Sequence, residues 1–197
     1  MHWLLLVPFI IISFFLSIVR HELSHAIVGW LHGDGLTLYL YPHRYVQVRD
    51  RSTGIATFAP RFSLRFWEDS FFWGAVSVMR PGREKSMFMH GLMDILPCFT
   101  GLFFFSLGVV LLQTLLVSAS FSVCLLVAVL SVSQGVDSVK MLLQSFQPQR
   151  VWLDVNKAIR RWDVPRWVFQ VTGMLLMLGF LATIWFWVLP ALGVVLY

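Results

Sequence analysis

The chain has 197 residues and a net charge of +5; 58% of it is hydrophobic, only 13% is charged, and its mean hydropathy is +0.76. Soluble domains carry about 25% charged residues, so this composition excludes an ordinary water-soluble domain and points to an integral membrane protein. The positive balance is not read as a nucleic-acid signal, because the basic residues fall in two interhelical segments, as orientation in a membrane requires.

The chain opens with an apolar run from Trp3 to Val19. No basic residue precedes it and Arg20 follows it, so it reads as a retained first span, not a cleaved leader. The helix is expected to continue through Leu31 and to stop at Gly33-Asp34-Gly35. At its inner end stands His21-Glu22-Leu23-Ser24-His25, an H-E-x-x-H motif. Residues four apart stack on one helical face, about 6 Å along the axis, so both imidazoles can reach one metal ion. Glu22 is then placed beside a water on that metal and can take its proton. The competing explanation, a polar helix end snorkelling into headgroups, accounts for the charge but not for the spacing.

Residues 36–66 change character. Leu36 to Tyr41 and Tyr45 to Val48 are β-branched and aromatic with some alternation, and Pro42-His43-Arg44 and Ser52-Thr53-Gly54 are turn signals. A small β-hairpin or sheet at the membrane surface is expected, with an edge that an unwound peptide could join. Phe71 to Met79 is apolar but too short to cross, and reads as interfacial or re-entrant. The long apolar stretch that follows needs two crossings, about 91–117 and 121–143, joined by Ser118-Ala119-Ser120. Cys98 and Cys124 lie inside these runs and read as buried small hydrophobes. Residues 145–166 are basic, and Val151, Trp152, Val155, Ile159 and Trp162 recur at helical spacing, suggesting an amphipathic helix on an anionic leaflet. A last span covers about 167–189. The expected architecture is an all-α polytopic membrane protein, one domain over 1–197, with four transmembrane helices and the small β element after the first. The positive-inside rule places both basic loops in the cytoplasm and the two termini outside.

Two histidines holding zinc need a third protein ligand and an open position for water. Besides Glu22, the carboxylates within the expected spans are Asp94 and Asp137. Counted inward from the outer ends of their helices, His21 and Asp137 both lie about 27 Å deep, whereas Asp94 lies about 36 Å down. Asp137 is therefore preferred and Asp94 is the alternative; Ser133 and Gln134, about one turn from Asp137, are candidates to orient a ligand or a substrate carbonyl. His32, His43 and His90 share no short metal spacing with another ligand and read as interfacial.

The H-E-L-S-H-A segment on a first span, the β-rich loop after it and a helical hairpin carrying an aspartate together resemble the site-2 protease class of intramembrane zinc metalloproteases. The resemblance covers about residues 3–145. It implies zinc as cofactor, His21, His25 and Asp137 as its ligands and Glu22 as general base. The implied substrates are membrane-embedded protein segments cut within the bilayer. Where that class usually has Asn-Pro and Leu-Asp-Gly around its aspartate, this chain has Ser133-Gln134-Gly135-Val136-Asp137-Ser138. Two other classes of function fit less of the pattern. A non-catalytic adaptor with a structural metal has no use for Glu22, and a metal transporter would want polar ligands at several depths.

Overall fold

The structure, a computed structural model, describes residues 2–39, 43–49, 56–62, 75–80, 84–115, 119–151 and 153–193. Among the described residues, four helices are long and apolar enough to cross a membrane: α1 (Leu6–Leu31), α2 (Met87–Leu115), α3 (Phe121–Leu143) and a fourth stretch, Arg166–Ala191, that begins with α5. Between α3 and α5 (Arg166–Thr183) lies a short polar helix, α4 (Asp154–Trp162).

The α1 helix stops where a glycine permits it. Gly33 sits at φ +77, a conformation that costs other residues dearly, and the amides of His32 and Asp34 turn back onto the Gly29 carbonyl at 3.0 Å. Four strands follow: β1 (Gly35–Tyr39), β2 (His43–Arg49), β3 (Ala56–Phe62) and β4 (Ala75–Arg80). They form two antiparallel ladders, β2 on β3 and, enclosing that pair in sequence, β1 on β4. The described part of the Phe71 to Met79 stretch is therefore strand β4 paired with β1, not a re-entrant segment; residues 71–74 lie outside the described residues. The Lys85 ammonium meets the buried Asp34 carboxylate at 2.6 Å, tying the end of α1 to the approach to α2.

The α2 and α3 helices form the centre, with α1 and α5 packed against them. On α2, Gly91, Asp94, Cys98, Gly101, Phe105, Gly108 and Leu112 are buried at alternating three and four spacing. On α3, Cys124, Ala128, Ser131, Gly135, Ser138 and Leu142 repeat the same rhythm. This is a helix-to-helix seam of small residues, the arrangement that lets two backbones approach when lipid supplies no hydrophobic drive. The Ser138 hydroxyl donates across the seam to the Cys98 carbonyl at 2.9 Å. The α1 helix is polar inside and apolar outside. Ser13, Ser17, Ser24 and Val28 are buried along one face, while Ile11, Phe14, Phe15, Leu23 and Ile27 are exposed. That pattern suits a helix whose outer face meets lipid and whose polar groups must be satisfied by its neighbours.

The apolar face of the α4 helix packs on protein. Val155, Ala158 and Ile159 are buried in a cluster with Ile95, Cys98, Met141, Leu142 and Phe169, so its apolar face closes one end of the bundle. Its far end is pinned to α2: Arg161 Nη1 donates to Asp94 Oδ2 at 2.6 Å and to the His90 carbonyl at 3.0 Å, and the Trp162 indole donates to the Phe88 carbonyl at 3.0 Å. The same periodic apolar residues find protein in preference to lipid, because the ends of α2, α3 and α5 offer them a cluster to complete.

A Cβ at Gly101 would overlap the Ser138 hydroxyl and lie 2.9 Å from the Gln134 carbonyl and 3.2 Å from Arg20 Cζ, whereas one at Gly179 would meet nothing within 4 Å. Gly101→Ala is expected to cost about 1–3 kcal/mol by overpacking the seam. Thermal unfolding in detergent micelles should show a clear fall in Tm for Gly101→Ala and no fall for Gly179→Ala.

Candidate metal centre

His21 and His25 stand one turn apart on α1, their ring centroids 5.0 Å apart and nearly perpendicular. The carboxylate that faces them comes from α4. Asp154 is the first residue of that helix, and its Oδ2 lies 3.6 Å from His21 Nε2 and 3.3 Å from His25 Nε2. Among the described residues, His21, His25 and Asp154 are the group whose ligand atoms all converge within 4.8 Å.

The loop before α4 is held so that Asp154 arrives there. Asn156 is buried and fully used: its Nδ2 donates to the Gln147 and Arg150 carbonyls at 3.0 and 2.9 Å, and its Oδ1 accepts from Arg166 at 2.7 Å. Arg166 also donates to the Ser145 carbonyl at 2.9 Å. Lys157, one turn on, donates to Asp154 Oδ1 at 2.8 Å. Burial alone would raise the Asp154 pKa, but the hydrogen bonds from His21 and His25 and the neighbouring positive charges hold its carboxyl well below the usual carboxylate range. It is an ionised acceptor at neutral pH. The side chains of His21 and Asp154 remain 21% and 25% exposed, so the cluster is not sealed off by its neighbours.

The other nitrogen of each imidazole is already engaged. His21 Nδ1 lies 3.2 Å from Asp137 Oδ2, and His25 Nδ1 lies 2.7 Å from the Met93 carbonyl. Both acceptors can only accept a hydrogen bond, so both rings carry hydrogen on Nδ1; the hydrogen that each Nε2 offers to Asp154 without an ion is the one a metal would replace. Tetrahedral zinc with ligand bonds of about 2.0–2.2 Å sets its ligand atoms about 3.3 Å apart. The two separations from Asp154 Oδ2 are close to that edge length, and two imidazoles with one carboxylate form an ordinary catalytic zinc donor set. The residues fit the ion.

Sequence reasoning expects Asp137 to face the metal. It meets His21, as the matched depths require, but on Nδ1, and the same oxygen is gripped by Arg20 Nη2. Arg20 also donates to Gln134 Oε1 at 2.5 Å, to Thr100 Oγ1 at 2.8 Å and to the Pro97 carbonyl. Of the other expected residues, Asp94 is taken by Arg161, Gln134 by Arg20, and Ser133 by a short hydrogen bond from Ser13. Glu22, beside His21 on α1, interacts electrostatically with His21, His25 and Asp154. His32 Nδ1 turns back onto the Val28 carbonyl at 2.8 Å, away from the cluster. Asp154 escapes a search of the spans because it belongs to a loop helix that folds back over the bundle.

Comparison with family models, curated proteins and solved structures found no match.

Zinc at 100 times its dissociation constant should stabilise the folded chain by about 2.7 kcal/mol. Asp154→Ala should abolish most of the zinc-induced rise in Tm, whereas Asp94→Asn should keep it. The check is a thermal melt of each protein with zinc and with chelator.

Proposed function

We propose that the protein is a zinc-dependent endopeptidase that cuts membrane-embedded segments of other proteins. The observation that carries this reading is the convergence of His21 Nε2, His25 Nε2 and the Asp154 carboxylate, with Glu22 adjacent in the motif. A structural metal would need no free carboxylate beside it; a hydrolytic one does.

His21, His25 and Asp154 would hold the ion, and zinc bound there supplies an acidified water and a polarised scissile carbonyl. Glu22 takes a proton from the attacking water as its oxygen bonds to the carbonyl carbon. It then delivers that proton to the departing amide nitrogen as the C–N bond breaks. Lys157 keeps Asp154 anionic and in place. The α1 to α3 helices and the Arg166–Ala191 stretch cross the bilayer in this account, with the site toward the cytoplasmic end, where the partly exposed Asp154 admits water. The strands after α1 are the surface element where an unwound substrate segment could pair with a free edge, since a helical substrate must expose its amides before it is cut. The basic loops face the cytoplasm and the termini the other side, following the distribution of Lys and Arg.

Glu22→Gln keeps the shape of the side chain but removes the base. It is expected to retain zinc while slowing cleavage of a membrane-embedded reporter by at least 10²-fold, the usual scale for a lost general base. Chelation of the wild-type protein should stop cleavage, and zinc should restore it. Undiminished turnover by Glu22→Gln would defeat the proposal.

A further inference from the structure

Pro97 lies inside α2 and carries no amide hydrogen, so the carbonyl four residues before it has no partner within the helix. That carbonyl belongs to Met93, and it is the one that His25 Nδ1 engages at 2.7 Å. The carbonyl of Pro97 itself accepts from Arg20 Nη1, and Arg20 Nη2 holds the Asp137 oxygen that accepts from His21 Nδ1. One break in α2 thus serves both imidazoles, directly for His25 and through Arg20 and Asp137 for His21. The guanidinium that joins them is 9% exposed and is matched on every side by acceptors: Gln134, Thr100, Pro97 and Asp137.

We infer that Pro97 and the Arg20 to Asp137 pair are positioning residues that fix both histidines in the Nδ1–H tautomer and so aim both Nε2 atoms at one metal ion. This rests on the reading of His21, His25 and Asp154 as a metal centre. None of the three positioning residues contributes an atom to the converging group. An acceptor-only partner leaves the imidazole a single choice of tautomer, and a metal site whose ligands must choose between two loses affinity. The position of Arg20 also keeps Asp137 occupied, so that the carboxylate supports His21 and does not compete with Asp154 for the ion.

The test uses the full chain in detergent micelles with zinc as the only added metal. Zinc affinity is measured by competition with a chelator, and the ring nitrogens of His21 and His25 are read in the zinc-loaded protein by ¹⁵N NMR. In the wild-type chain both rings should be metal-bound through Nε2 and protonated on Nδ1. Pro97→Ala supplies a competing amide to the Met93 carbonyl. It should lower zinc affinity about tenfold while leaving metal-free thermal stability unchanged or higher, a pairing of signs that a merely structural proline would not give. Asp137→Asn should lower affinity by about 10–100-fold and perturb the His21 ring alone. Ligation through Nδ1 in the wild-type chain, or unchanged affinity in both variants, overturns the inference while leaving the metal centre standing. Complete loss of zinc in Asp137→Asn with full retention in Asp154→Asn would overturn the inference and the place of Asp154 in the centre together, by making Asp137 the ligand. A wild-type chain that binds no zinc overturns both. If Pro97→Ala does not fold, the wild-type ring assignment and Asp137→Asn still decide.

Discussion

The meeting of the Asp154 carboxylate with two imidazoles of α1 is the contact on which the polar end of the bundle depends. It joins the first apolar helix to a polar helix more than a hundred residues later. Ionised groups among apolar helices are costly unless they are matched, and here Arg20 meets Asp137, Arg161 meets Asp94 and Lys157 meets Asp154. The surrounding hydrogen bonds follow from that requirement. Asn156 and Arg166 hold the loop that brings Asp154 forward, and Arg161 with Asp94 holds the far end of α4 on α2.

The bundle itself is held by a different kind of contact. Two rows of small residues on α2 and α3 bring the helix backbones close, and the apolar side chains that would form the core of a soluble protein point outward. The consequence is a division of labour along the bundle axis. The far half is a dry seam around Leu112, Cys124, Ala128 and Val188, while the near half carries Arg20, Asp137, Asp94 and the histidines. A polar cluster is tolerated at one end because tight packing of small residues secures the other.

Much of this was legible in the sequence. Hydropathy located the four long helices within a few residues, and Gly33 marked the end of α1. The motif placed His21 and His25 on one face, and counting residues inward brought Asp137 to the level of His21. What depth could not give was which nitrogen Asp137 would meet, since that depends on side-chain direction and on Arg20. Nor could a search confined to the spans find Asp154. Its approach is a tertiary event: the Val155, Ile159 and Trp162 stripe that suggested a lipid-facing helix docks on the bundle, and that docking carries the acid into place. The importance of Pro97 was hidden for a related reason. A proline in a span reads as a kink, and only the position of His25 reveals the use made of the carbonyl it frees.

The most direct test of this account is X-ray absorption at the zinc K-edge on the full chain after metal loading. The expected result is one zinc per chain with two imidazole nitrogens at about 2.0–2.1 Å and carboxylate oxygen completing the shell. Substoichiometric zinc after loading, or a first shell without imidazole scattering, would contradict it.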